Sequence, residues 1–286
     1  MTPSHRHITV DPEPSGFGAH VSGVRLRDAL PRDVQAEILE AWAAHGVLVF
    51  PDQPLDPAGL ERVTRIFGPF GDDPFLEGMP AHPHVVALVR RADEKSILFG
   101  AAWHSDWSFQ ETPPSATLLH AQKVPPVGGN TRYADGARAW EALDPEWKER
   151  VRGLRAVHSA RAAYGEDGVL AKDPHESATP ILTGVAAHAS RLHPVVRTHP
   201  VTGRQALFVN PVYTREIAGV SPEESKEILD FLTLHMIRAE FVYDHAWSAN
   251  MLTVWDNRRM MHSASGGYEG HERRMMRTTV AGERPC

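Results

Sequence analysis

The chain has 286 residues, 42% hydrophobic and 23% charged, with a formal net charge of −6. That is an ordinary composition for one large globular domain with a full core, and the acidic balance argues against nucleic acid as a partner, since such proteins usually carry a basic excess. The lone cysteine, Cys286, excludes an intrachain disulfide and a multi-cysteine zinc site; the opening Met1–His7 has no apolar signal core and no apolar run nears the ~20 residues that span a bilayer, so no membrane role and a cytoplasmic location are expected.

In chain order, residues 8–28 alternate polar and apolar around Gly16, Gly18 and Gly23, which predicts short strands and turns. Residues 32–45 place Val34, Ile38, Ala41 and Trp42 on one helical face, and Gly46 can end that helix. Val47–Phe50 reads as a buried strand stopped by Pro51. Asp56-Pro57 supplies a cap and a proline at the first helical position, ahead of the stripe Leu60, Val63 and Phe67. Within 69–100 an extended apolar piece, Val85 to Val89, lies between loops. Residues 115–124 predict a strand ended by Pro125-Pro126 and Gly128-Gly129, and a helical stretch follows from about 135 to 154, interrupted at Asp144-Pro145.

Residues 164–190 have little periodicity and read as a surface loop or a mobile lid over a site. Strand-like pieces resume at 195–198 and 205–210. Ser221-Pro222-Glu223-Glu224 is a capping box that opens a helix to about 238, with Ile228, Phe231, Leu232 and His235 on one face. Strands are predicted at 251–255 and 275–281. With no internal repeat and no clear linker, a single domain over 1–286 is expected, mainly β with a few covering helices, as a sandwich or barrel-like core.

Two segments carry the chemistry. His104 and Asp106 form an H-x-D pair, and His262 follows about 150 residues later. On a strand, residues i and i+2 point to the same side, so His104 and Asp106 could reach one metal together, with His262 supplied from just beyond the strand 251–255. Two imidazoles and one carboxylate hold one face of a non-haem iron(II) and leave the other open for O2 and a co-substrate. A keto diacid such as 2-oxoglutarate could chelate that ion, and its far carboxylate would then need a partner in a dry pocket. The planar, always-charged arginine fork suits this. Arg273 and Arg277, four apart near the last strand, share a face, whereas Arg274 reads as a solvated edge charge. Thr131, after Gly128-Gly129-Asn130, offers a hydroxyl to the same carboxylate.

These residues belong to a longer series: Trp103-His104-Ser105-Asp106, Glu111-Thr112-Pro113-Pro114, Gly128-Gly129-Asn130-Thr131, His193-Pro194-Val195-Val196-Arg197-Thr198-His199-Pro200, Leu207-Phe208-Val209-Asn210, Trp255-Asp256-Asn257-Arg258 with His262, and Arg273 with Arg277. In this series the chain resembles the taurine dioxygenase/TfdA family of iron(II)- and 2-oxoglutarate-dependent dioxygenases, from about residue 8 to 283. The resemblance implies a double-stranded β-helix (jelly-roll) core flanked by helices. It implies His104, Asp106 and His262 as iron ligands, Thr131 and Arg273 on the far carboxylate of 2-oxoglutarate, and Arg277 facing the anionic group of the substrate. Phe208 would lie near the substrate pocket, or in the core. The implied reaction is hydroxylation of a small anionic organic substrate (a sulfonate, sulfate ester or carboxylate), with succinate and CO2 as co-products, and with C–S or C–O cleavage where the hydroxylated carbon carries a sulfonate or ether oxygen. The presence of Asp106 argues for oxygenation over halogenation. A homo-oligomer, dimer or tetramer, follows only by analogy.

The chain departs from the family between Pro69 and Ala102. Gly100 stands where taurine enzymes carry an asparagine, which argues against a compact aminosulfonate pocket. Phe75, Leu76 and Met79 suggest a substrate with a larger or more hydrophobic body, and Trp107 either shapes the pocket beside the metal or packs in the core. Two other readings use the same residues: a zinc hydrolase and a non-catalytic jelly-roll binding protein. The first leaves the arginine clamp unexplained and lacks a base placed as in H-E-x-x-H. Retention of the ligands together with Thr131 and Arg273 speaks against the second.

Overall fold

A computed structural model describes residues 5–286, so the opening Met1–His7 segment is described only from His5. Strands β1 (Thr9–Pro12) and β2 (Ala19–Ser22) pair antiparallel. Helix α1 (Arg32–His45) ends at Gly46, whose φ of 74° lets its N–H turn back to the Trp42 carbonyl. Strand β3 (Val47–Phe50) follows directly. Helix α2 (Pro57–Phe67) begins where the Asp56 side chain accepts from Gly59 N at 2.6 Å. Then come β4 (Gly78–Met79), β5 (His82–Arg90), β6 (Ala116–Lys123) and β7 (Thr131–Asp135), and α3 (Gly136–Ala142) and α4 (Pro145–Val151), broken at Asp144-Pro145. The rest comprises β8 (Arg155–Ser159), α5 (Arg161–Tyr164), β9 (Ser190–Pro194), β10 (Val196–Thr198), β11 (Gln205–Leu207), β12 (Thr214–Ile217), α6 (Pro222–Met236), β13 (Val242–His245), β14 (Leu252–Asp256), β15 (Met260–Ala264) and β16 (Arg273–Val280). Ser221 caps α6, accepting from Glu224 N at 3.2 Å.

The chain is mainly β with helices. Among the described residues, an eight-stranded sheet runs β1-β2-β3-β14-β6-β16-β5-β4, and a three-stranded sheet runs β13-β7-β15. Alternation along the strands decides what each face meets. Leu48, Phe50, Leu252, Val254 and Met276 pack on Ile38, Trp42, Leu60 and Val63 of α1 and α2. Their neighbours Val47, Val49, Trp255 and Met275 cluster instead with Tyr133, Tyr243 and Met260 of the smaller sheet. The outer side of that sheet, Ala134 and Met261, is covered by Trp140 of α3 and by Ile228, Leu232 and Met236 of α6. The order is therefore helices, sheet, sheet, helices. By the same alternation, Arg273 and Arg277 share the inner face of β16 with Met275, and His262 shares the inner face of β15 with Met260. The candidate chemistry lies between the sheets.

None of the three strands of the smaller sheet, β7, β13 and β15, is legible as a strand in the sequence. Thr131, otherwise a turn residue, opens β7, and His262 lies in the middle of β15 rather than past the end of a strand. Met260-Met261-His262-Ser263 is buried on both faces, so it shows no polar–apolar alternation to read. Residues 164–190 are largely irregular, with a short 3-10 turn at Val185–His188. They are fastened along the 69–100 stretch by a Leu76–Ile181 bridge, by Leu182 N on Phe75 O at 2.9 Å and by the Thr179 hydroxyl on Val89. No helix among the described residues is long and apolar enough to cross a membrane.

Two buried histidines make the fold sensitive to acid. His158 Nδ1 meets the Ser108 hydroxyl at 3.0 Å, and His245 Nδ1 meets the Tyr243 hydroxyl at 2.9 Å. Burial, aided by His193 and His20 respectively, pushes both imidazoles from 6.5 down to about 3. The folded state then refuses protons that the unfolded chain accepts, so their contribution is full above the unfolded value and is lost as pH falls toward the folded one. At about pH 4.5 each would cost ~2–3 kcal/mol. The melting temperature of the metal-free protein is expected to fall between about pH 6.5 and about pH 4.5, and to fall less in His158→Gln. A flat profile in the unsubstituted protein would contradict this.

Candidate metal centre

His104 Nε2 and His262 Nε2 stand 3.7 and 3.8 Å from Asp106 Oδ1. The two rings are 4.2 Å apart, and one ligand atom from each of the three residues lies within 4.8 Å of the others. All three residues are buried. Burial, then His104, pushes the His262 imidazole down to about 3. Burial also lowers His104, against the pull of Asp106. For Asp106 burial acts upward, but Arg277, then His262 and His104, outweigh it and hold the carboxyl well below its ordinary range. The site thus presents two neutral ring nitrogens and one carboxylate, the protonation states that metal ligation requires. This donor set fits a ferrous ion held on one face.

The local backbone differs from the expected strand. His104 makes a single bridge to His262, with His104 N on His262 O at 3.0 Å and His262 N on His104 O at 2.7 Å. The chain then enters turns, and Trp107 takes φ 45°, a left-handed conformation costly for a bulky residue. His104 and Asp106 therefore converge through a bridged turn rather than through the pleat of a strand. Ser105 ties this turn to β15 by donating to Met260 O at 2.8 Å.

Side chains around the ligands aim them. Ala102 O is 2.7 Å from His104 Nδ1, which leaves Nε2 for the metal. Asp106 Oδ2 accepts from the Thr117 hydroxyl at 2.6 Å, and that hydroxyl accepts from Asn257 Nδ2 at 2.8 Å. Asn257 Oδ1 in turn accepts from Trp255 Nε1 at 2.9 Å. Oδ2 is thereby occupied while Oδ1 faces both imidazoles. Thr117 escaped sequence reasoning, having no local signal; Asn257 lay within a quoted motif without a role.

A small cavity of about 60 Å3 brings together six of the residues singled out in the sequence: His104, Asp106, His262, Thr131, Arg273 and Arg277. Gly100, Leu88, Phe99 and Leu119 also line it. The two arginines differ. Arg273 has no carboxylate partner among the described residues, and its buried Nε has no hydrogen-bond partner; burial lowers its pKa, against Tyr268 and Tyr133. Its guanidinium lies 5.9 Å from the Trp247 ring, whose Nε1 donates to the Thr131 hydroxyl at 3.0 Å. Arg277, expected to await a substrate anion, is already paired with Asp73 and lies 3.1 Å from Asp106. Arg274 is exposed and pairs with Glu272, as read. Trp107 and Phe208 do not line the cavity. Trp107 is buried under the Arg277 guanidinium, 5.2 Å away, and Phe208 stacks on His158. Their placement favours the packing alternative for both: the turn at 107 directs the indole into the aromatic cluster of Phe75, Phe109, Tyr164 and Tyr213, and Phe208 packs on His158 and His193.

A family model described as taurine catabolism dioxygenase TauD, TfdA family matches residues 6–279. The chain is 30% identical to the (S)-phenoxypropionate/alpha-ketoglutarate-dioxygenase of Sphingobium herbicidovorans, over 96% of this chain and 95% of that protein. It is similar in structure to a taurine dioxygenase from Burkholderia xenovorans, with a TM-score of 0.81 and 30% identity, covering 98% of this chain and 93% of the other. A second solved structure, AAD-2 in complex with Mn(II) and N-oxalylglycine, gives a TM-score of 0.76 at 30% identity, covering 97% and 98%.

The hydrogen bonds behind Asp106 generate an expected outcome. Thr117→Val keeps the shape but removes the hydroxyl that holds Oδ2, and it should weaken iron(II) binding about 10- to 100-fold. Equilibrium dialysis under anaerobic conditions measures this directly, and an unchanged affinity would show that the Thr117 bond does not orient the ligand.

Proposed function

The chain belongs to the TauD/TfdA family of taurine catabolism dioxygenases, and from that premise we propose how its residues divide the work of an iron(II)- and 2-oxoglutarate-dependent dioxygenase. The protein is such an enzyme, using iron(II), 2-oxoglutarate and O2. The two facing sheets fit a double-stranded β-helix (jelly-roll) core, within one domain over the described residues. His104, Asp106 and His262 would hold the ion. When bound, the iron couples oxidative decarboxylation of 2-oxoglutarate, giving succinate and CO2, to hydroxylation of a substrate C–H.

One observation carries the co-substrate assignment. Arg273 is a half-buried arginine whose Nε is closed off from solvent and which has no anionic partner among the described residues, in the cavity that also holds the three ligands. An unpaired buried charge is costly, and the far carboxylate of a diacid would relieve that cost with the bidentate geometry arginine favours. Thr131, at the same wall, would donate its hydroxyl to that carboxylate while accepting from Trp247. The apolar side chains of Leu88, Phe99 and Leu119 line the cavity, and the low-dielectric surface they present would strengthen each of these polar contacts.

The substrate would be a small organic anion (a sulfonate, sulfate ester or carboxylate), in keeping with relatives named for phenoxypropionate and taurine. Gly100 lines the cavity with φ 75° and carries no side chain toward His104, which favours a body larger than taurine. Residues 164–190 would act as a lid: Tyr164 and Ala187 pack with Phe75 and Trp107, directly behind Arg277. Assembly as a dimer or tetramer is proposed by family analogy alone.

Arg273→Ala is expected to raise the KM for 2-oxoglutarate by a factor of a hundred or more, from the loss of ~3–5 kcal/mol when a desolvated charge pair loses one partner. Succinate release, followed over a 2-oxoglutarate titration, gives the value. Asp106→Ala should abolish that release altogether. A KM unmoved by the Arg273 substitution would assign the diacid to another residue.

A further inference from the structure

Asp73 lies in the divergent 69–100 stretch, 204 residues from Arg277 in sequence, yet forms an ion pair with it. Its carboxylate is fully engaged. Oδ1 accepts from Arg277 Nη1 and from Trp107 Nε1, the latter at 2.7 Å, while Oδ2 accepts from the Thr279 hydroxyl at 3.1 Å. Arg277 is thus held between two carboxylates, with Asp106 Oδ1 3.1 Å from its Nη2. That Nη2 lacks hydrogen-bond geometry to any protein group and is what the arginine still offers to the cavity. The Arg277, Asp73 and Asp106 side chains are only 4%, 9% and 7% exposed, so their charges are poorly screened by water.

The charge balance has a consequence for substrate choice. A metal ion claims the charge of Asp106, and Asp73 remains as the counter-ion of Arg277. A substrate anion approaching Arg277 would meet a cation already neutralised and would place a second negative charge beside Asp73 in a low-dielectric setting, where such repulsion is strong. Asp73 is also anchored by three donors and cannot leave without stranding the Trp107 indole N–H and Arg277 in the interior. The cavity wall that substrate and co-substrate would share is apolar at Leu88, Phe99 and Leu119.

We propose that Asp73 is a specificity-determining residue: by neutralising Arg277 it suppresses the preference of the pocket for an anion, so that the substrate is selected by its apolar body rather than by a strong ion pair. This rests on the dioxygenase reading, in that it takes the cavity beside the three ligands as the substrate site. It deepens that reading, because an anionic substrate is still admitted but its charge contributes little.

The test compares a carboxylate with its neutral twin, 2-phenoxypropionate and 2-phenoxypropionamide, by calorimetric titration of the full-length protein loaded with Mn(II) and N-oxalylglycine. In the unsubstituted protein the two should bind within about threefold of each other. Asp73→Asn keeps an Oδ1 acceptor for Trp107, replaces the oxygen facing Thr279 by an NH2 to which that hydroxyl can turn and accept, and removes the charge; it should tighten the acid at least about tenfold and leave the amide within about twofold. Asp73→Glu retains the charge and should keep the near-equal binding. If Asp73→Asn does not fold, Asp73→Ser carries the same expectation. A folded, charge-removed variant that binds the acid no more tightly, or that tightens acid and amide equally, overturns the proposal. Binding of N-oxalylglycine, titrated first in the same samples, reports separately on the dioxygenase reading, and its absence would sink that reading whatever Asp73 does.

Discussion

The structure is organised around one buried carboxylate, Asp106, which has to stay ionised with little exposure to water. Burial alone would favour its neutral form. Arg277 and the two imidazoles reverse that, and Thr117 satisfies the oxygen turned away from them. The group cannot simply be dropped into a core: each neighbour must arrive from a different part of the chain. Arg277 comes from β16, His262 from β15, Thr117 from β6, and His104 from the turn that carries Asp106 itself. Two sheets facing each other across an apolar layer are a means of delivering these groups to one point on rigid backbone.

The crossover between the sheets is itself built from buried charge. Asp256, at the end of β14, accepts from His199 Nε2 at 2.8 Å and from Arg258 Nε and Nη2, both at 2.7 Å. Arg259 pairs with Asp135 at the end of β7. These pairs hold the three residues that carry the chain from the larger sheet to the smaller, and so set the position of His262 only a few residues on. The Trp255-Asp256-Asn257-Arg258 motif therefore acts on the metal site at one remove: Asp256 and Arg258 shape the turn, while Asn257 reaches Thr117 and, through it, Asp106.

The two arginines show how identical residue types on one strand face acquire different roles. Arg273 is half-buried and has no counter-charge among the described residues, which is the basis for proposing that it takes one from a ligand. Arg277 has two carboxylates and is left with little to give. Nothing in the spacing of Arg273 and Arg277 distinguishes them. The difference is made by Asp73, supplied by a loop far away in sequence, and by the indole of Trp107, whose left-handed backbone turns it under Arg277 and away from the cavity.

What could be read along the chain were the features governed by near neighbours and by residue chemistry. Helix α1 from Arg32 to His45, the Asp56 and Ser221 caps and the strand at Val47–Phe50 follow from periodicity and from local hydrogen bonding. The ligand types at 104, 106 and 262 follow from what iron accepts, and Thr131, Arg273 and Arg277 do meet those ligands around one cavity. β7 and β15 were hidden because burial on both faces erases the alternation that marks a strand. The turn at 104–107 was hidden because Trp-His-Ser-Asp-Trp alternates as a strand does, while its bridge to β15 depends on a partner about 150 residues away. The amino-acid sequence by itself thus determined which atoms could bind a metal and a diacid, since donor chemistry belongs to residue types. Only the tertiary structure decided which arginine is free and which is neutralised, since that depends on burial and on contacts between residues that local order does not connect.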